Sequence, residues 1–168
     1  VICTNPAQGT ITILRPDGTH DIYRGDGLRE PSTLALSPDQ VFLAVLDRTG
    51  VWGWSFQLTP EGELRHGQPF FRVIPDEANP TQRAAAIAID TTGDLYIPNA
   101  SGITLVTQSG RTRETINAPE PGLASSVTFG GPGRDWLIAS QHGKLFRRRI
   151  QRLGATSWQP VKPPPPRV

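Results

Sequence analysis

Apolar and polar residues alternate along this chain in short runs, and each run ends at a turn signal. "STLALS" (32–37), "AAIAID" (85–90) and "SSVTFG" (125–130) alternate over six residues and are rich in small side chains. A period of two sends successive side chains to opposite faces of a strand. The turns "PDQ", "TTGD" and "GGPGRD" follow them. Second runs come next: "FLAVLD" (42–47), "LYIPNA" (95–100) and "WLIASQ" (136–141). Third runs are "VWGWSFQ" (51–57), "ITLVTQ" (103–108) and "KLFRRRI" (144–150). Fourth runs are "QPFFRV" (68–73) and "TRETIN" (112–117).

The N-terminal stretch fits the same grid but enters it late. "VICTN" (1–5) matches the second run, "TITILRPDG" (10–18) the third and "THDIYRG" (19–25) the fourth. The turn "RPDG" corresponds to "TPEG" (59–62) and "TQSG" (107–110). The equivalent second strands recur at roughly 40–50 residues, and four antiparallel strands at that period describe propeller blades. The alanines of "PTQRAAAIAID" suggest a helix after Pro80, but Thr91-Thr92-Gly93 cuts the run short and the repeat makes it a strand. The pattern therefore predicts an all-β fold, a partial β-propeller over 1–153 that starts mid-blade. Its blades fall at about 1–25, 32–73, 85–117 and 125–150. The Pro-rich tail 154–168, with four consecutive prolines, favours an extended polyproline helix, either a stiff terminus or a ligand for an aromatic groove.

The first blade lacks its innermost strand and the last lacks its outermost. An inner strand unpaired at Val1 would leave edge amides and apolar surface open. Three arrangements answer this: further blades upstream, a second copy completing the ring, or a four-bladed ring that closes alone. The chain begins at Val1 and contains no Met, which favours upstream sequence.

Composition agrees with a folded β domain. Of 168 residues, 36% are hydrophobic and 19% charged, and Gly and Pro number 17 each, a density that means many turns. A net charge of +2 is too small to suggest nucleic acid, and the run Arg147-Arg148-Arg149 with Lys144 and Arg152 reads as a charged exposed strand. With Cys3 as the one cysteine, no internal disulfide forms. No apolar run approaches the ~20 residues of a membrane-spanning helix. Neither a signal peptide nor any other feature fixes the compartment.

Three stretches resemble one family. "LREPSTLALSPDQVFLAVLD" is similar to the blade "GPNGLALSPD…LYVAD" of the gluconolactonase and senescence marker protein (regucalcin) family. "AAAIAIDTTGDLYIPNASGITLVTQSGR" resembles its "DGMAVD…GNLYVAT…GIQVFDPDGR", and "SSVTFGGPGRDWLIAS" its "NVAFGGPDRKTLYITA". The resemblance runs from about residue 10 to 150. It implies a six-bladed propeller with a divalent cation (calcium, magnesium, manganese or zinc) on its axis, hydrolysing sugar lactones or related esters. It places this chain as roughly the C-terminal two thirds of such a propeller, with the family's N-terminal ligand, a Glu, upstream of Val1. The family's blades open on Asn-Gly or Asp-Gly, whose side chains face the axial channel, the Asp being both metal ligand and general base. Carried over, the Asn position falls on Ser32, the Asp-Gly pair on Ala85-Ala86, and a further polar position on Ser125-Ser126. Ala85 has no lone pair to bind a metal or take a proton. A register error of one or two residues would bring Asp76, Glu77 or Asn79 into play, but the strand after Ala85 fixes the register. The resemblance thus implies an enzyme fragment whose ligands in this portion have been replaced; the alternative is a non-catalytic propeller that binds a carbohydrate or protein.

Other polar residues share the face on which the first strands of the blades open. The ends of the second strands place Asn5, Asp47, Arg48, Asn99, Gln141 and His142 there, with Trp52 or Trp54 as stacking rings. Such a set suits a small sugar-like ligand. It equally suits ordinary turn chemistry, since Asn and Asp favour turns. Ser32, Asp47, Asn99, Ser125 and His142 are the binding candidates. His20, His66 and His142 lie in different units and suggest no metal cluster. Ser125, His142 and Asp47 supply the residue types of a catalytic triad without any spacing that brings them together. "NAS" at 99–101 matches a glycosylation acceptor, a short pattern that is common by chance.

Overall fold

The computed structural model describes residues 1–73, 84–99 and 101–156. Among the described residues, fourteen strands form four antiparallel sheets in chain order. The first sheet holds β1 (Ile2–Asn5), β2 (Thr10–Leu14) and β3 (His20–Tyr23). The second holds β4 (Pro31–Leu36), β5 (Phe42–Asp47), β6 (Trp52–Leu58) and β7 (Leu64–Arg72). The third holds β8 (Ala88–Ile89), β9 (Leu95–Asn99), β10 (Gly102–Val106) and β11 (Thr112–Asn117). The fourth holds β12 (Ser126–Gly130), β13 (Trp136–Gln141) and β14 (Lys144–Arg149). Each strand pairs with its sequence neighbour, so every sheet is a meander, as blades of a propeller are. The helical content of the described residues is one 3-10 turn at Pro6–Gln8.

Burial follows the position of a strand in its sheet. In the third sheet β9 and β10 are buried at every residue, whereas the outer β11 is exposed at all but Ile116. The reason is that sheets stack face to face. Ile11 meets Leu43, Val45, Trp54 and Phe56 between the first and second sheets. Ala44, Leu46 and Phe71 meet Leu95, Ile97 and Val106 between the second and third. Tyr96, Ile103 and Leu105 meet Val127, Phe129, Leu137 and Ala139 between the third and fourth. A middle strand carries apolar residues on both faces because it serves two of these layers.

The repeated turns share one geometry. In "RPDG", "TPEG" and "TQSG" the fourth-residue amide bonds the first carbonyl: Gly18 to Arg15 at 3.1 Å, Gly62 to Thr59 at 2.9 Å, Gly110 to Thr107 at 2.8 Å. The three glycines have φ of 84°, 83° and 78°, which a residue with a Cβ adopts only at a cost. The turns after β4, β8 and β12 close likewise, Gln40 on Ser37, Gly93 on Asp90 and Arg134 on Gly131.

One strand departs from the alternation. "AAIAID" predicts pairing from residue 85, but β8 is confined to Ala88 and Ile89. Residues 84–87 lie outside the ladder, and the carbonyl of Ala85 instead accepts a bond from the Thr33 hydroxyl on β4 at 3.2 Å. Alanine methyls offer little cross-strand packing to extend the ladder. The loop with Asp76, Glu77 and Asn79 and the Pro-rich segment 157–168 lie outside the described residues.

Candidate functional site

Pairing fixes which ends share a face. Pro31 at the start of β4 pairs with Asp47 at the end of β5, and Ser126 at the start of β12 with Ser140 near the end of β13. The openings of the first strands therefore lie beside the ends of the second strands.

The second strands end on Asn5, Asp47, Asn99 and Gln141, and their side chains do related work. Asn5 Oδ1 accepts from the amide of Gln8 at 3.2 Å. Asp47 Oδ1 accepts from the amides of Thr49 (3.0 Å), Gly50 (3.3 Å) and Glu30 (3.2 Å) and from the Thr49 hydroxyl (2.9 Å). Its Oδ2 accepts from the Arg29 amide at 2.9 Å. Asn99 Oδ1 accepts from the Ser101 amide at 2.8 Å, and its Nδ2 donates to the Thr104 hydroxyl. Gln141 Nε2 donates to the carbonyls of Glu120 (2.9 Å) and Gly122 (2.7 Å). Short polar side chains that bond nearby backbone replace the ladder where a strand turns. Asp47 and Gln141 also reach the segments that lead into β4 and β12, so each ties its sheet to the incoming connection.

These bonds set the electrostatics. Asp47 is 3% exposed. Burial pushes its carboxyl up, but the Arg29, Thr49 and Glu30 amides and the Thr49 hydroxyl outweigh burial and hold it below its ordinary range. The charge is thus used internally. On the opposite end of the sheets, Tyr96 donates from its hydroxyl to Asp90 Oδ2 at 3.2 Å. Burial, then the Asp90 charge, pushes the Tyr96 phenol well above its usual range.

The remaining candidates are placed as follows. Ser32 is half-buried; its hydroxyl donates to the Leu46 carbonyl at 3.3 Å, while its own carbonyl accepts from Thr4. Ala85 is exposed. Ser125 and Ser126 are exposed, and both hydroxyls bond that of Ser140, at 2.5 and 2.8 Å. His142 is exposed with φ 50°; with Gly143 at φ 75° it makes the two-residue turn between β13 and β14. Its Nε2 lies 3.0 Å from the Pro121 carbonyl. Trp54 is buried in the core against Phe56, so only Trp52 of the two candidate rings is open to solvent. The hydrogen bonds of Ser125, His142 and Asp47 go to three separate sets of partners. Residue spacing carries no sign of the three-hydroxyl cluster, because Ser140 reaches it through the β12–β13 register.

A divalent cation of the hard class needs oxygen ligands with free lone pairs and usually negative charge. Among the described residues, those at the strand openings do not fit that need. The Ala85 side chain has no donor atom and its carbonyl accepts from Thr33, while the Ser32, Ser125, Ser126 and Ser140 hydroxyls are uncharged, the first directed to a backbone carbonyl and the other three bonded to one another. Among the described residues no three His, Cys, Asp or Glu side chains group together.

The profile of the SMP-30/gluconolactonase/LRE-like region matches residues 2–142 of this chain. The chain belongs to that family. Solved structures agree in fold. A protein named as a candidate gluconolactonase superposes with a TM-score of 0.73 at 22% identity, over 88% of this chain and 47% of its own. A gluconolactonase from Xanthomonas campestris gives 0.66 at 24% identity, over 82% of this chain and 43% of its own. The calcium-binding protein regucalcin from Agrobacterium tumefaciens gives 0.66 at 13% identity, over 96% and 63%. The chain therefore spans about half the length of the first two relatives. A comparison with curated proteins found no match.

Proposed function

We propose that this chain forms the C-terminal part of a gluconolactonase-like propeller and serves there as scaffold. In this reading its channel-facing positions have exchanged the ligands of a metal-dependent lactonase for uncharged side chains. The observation that carries it is Ala85. It stands exposed at the opening of β8, where the family resemblance implies the aspartate that binds metal and takes the proton. Metal-dependent hydrolysis of sugar lactones or related esters would then need ligands from outside this portion, supplied by further blades or a second copy. A small sugar-like ligand is a second reading, favoured by the exposed hydroxyls of Ser125 and Ser126 on the same face.

Hydrolysis of gluconolactone tests the proposal, with manganese, zinc or calcium supplied and then chelated. This chain should add nothing to the rate in buffer. Chelator-sensitive hydrolysis by the chain alone would overturn the reading.

A further inference from the structure

We infer that residues 153–155 form a clasp that docks the fourth sheet onto the third, and that the "GGPGRD" turn is its receptor. The chain leaves β14 and crosses back to the edge of the third sheet that β8 leaves open. There Asp90 and Gly154 form an antiparallel bridge. The Thr91 amide donates to the Leu153 carbonyl at 2.8 Å, and the Ala155 amide to the Ile89 carbonyl at 2.9 Å. An otherwise open strand edge is thus paired by the chain itself.

The turn between β12 and β13 holds the crossing segment from the other side. The Gly154 amide donates to the Arg134 carbonyl at 2.9 Å. The Arg134 guanidinium donates from Nε to the Gly154 carbonyl at 3.0 Å and from Nη2 to the Ala155 carbonyl at 2.5 Å. Arg134 does this from φ 54°, a backbone conformation few side chains adopt. Arg152 adds a bond from Nη1 to the Thr92 hydroxyl at 3.0 Å.

Gly154 closes a circuit through both sheets. A Cβ at this position would sit 2.1 Å from the Phe129 Cβ, so only glycine fits. Phe129 meets Tyr96 edge to face at 4.9 Å and 84°. Tyr96 in turn bonds Asp90, the residue bridged to Gly154. Backbone pairing, ring packing and a buried carboxylate therefore depend on one another, which couples two sheets that share no ladder.

Amide hydrogen exchange on the whole chain tests this. In Arg134→Ala, exchange of the Thr91 and Ala155 amides should rise roughly tenfold or more, while β5 in the second sheet keeps its protection. Arg134→Lys should fall between, since one ammonium cannot reproduce the fork onto two carbonyls. Gly154→Val should release the same amides, with β12 following. Unchanged exchange at Thr91 and Ala155 in Arg134→Ala would overturn the clasp. So would an equal rise in β5, which would make Arg134 a general stabiliser rather than a link between two sheets.

Discussion

Asp47→Ala removes an acceptor that five donors share. Arg29, Glu30, Thr49 and Gly50 supply amides at 2.9 to 3.3 Å, and Thr49 adds its hydroxyl. A hydrogen bond to a charged group contributes about 1.5–3 kcal/mol net, and a buried donor left without a partner costs about 1–3 kcal/mol. The donors do not add, because Arg29 and Thr49 are exposed and water replaces part of what is lost. Taken as a unit, the loss should be about 3 kcal/mol. Asp47→Asn keeps the four bonds on Oδ1 but sets an NH2 against the Arg29 amide, and should cost about 1–2 kcal/mol. Urea unfolding followed by tryptophan fluorescence measures both, since the loop at Gly27 lies against the Trp54 ring. A shift below about 0.5 kcal/mol for Asp47→Ala would refute the reasoning, because surface side chains without such partners give that value.

Further outcomes follow from the same structure. The folded Asp47 carboxyl lies below its ordinary value of 3.8, so its contribution is complete above that pH and is lost as pH falls through the lower folded value. The stability gap between wild type and Asp47→Asn should therefore narrow in acid below about pH 4; a gap that widens there would contradict the assignment. Gly53→Ala would set a Cβ 2.0 Å from the buried Phe71 ring and should cost about 3 kcal/mol or prevent folding, read by thermal unfolding. Tyr96→Phe takes one donor from Asp90, which keeps Thr92 and Asp94, and should lower stability by about 1–2 kcal/mol in the same assay.

Much of the fold was legible because the repeat is written twice, once in the strands and once in the turns. "RPDG", "TPEG" and "TQSG" look unlike one another, yet each places glycine where the backbone needs positive φ. The short β8 was not legible. Periodicity reads the alternation of "AAIAID" but not whether methyl groups can hold a ladder, and the bond from Thr33 to Ala85 spans 52 positions. The polar residues at the strand ends are legible as turn residues, and Asn5, Asp47 and Asn99 each bond the backbone of the turn that follows. What sequence could not tell was the direction of their lone pairs. Asp47 and Asn99 face their own turns, and that depends on φ and ψ of the residues after them. The clasp at Gly154 was invisible because a glycine near a Pro-rich tail reads as one more turn, whereas the Phe129 ring beneath it is a tertiary fact.

Calorimetric titration of calcium, manganese and zinc into this chain tests most directly whether the openings of β4, β8 and β12 hold a metal. Uncharged side chains there should give no stoichiometric uptake with a dissociation constant below about 1 mM, the weak end of known calcium modules. One-to-one uptake in that range would contradict the exchange of ligands inferred from Ser32 and Ala85, and hydrolysis assays with the bound metal would then take first place.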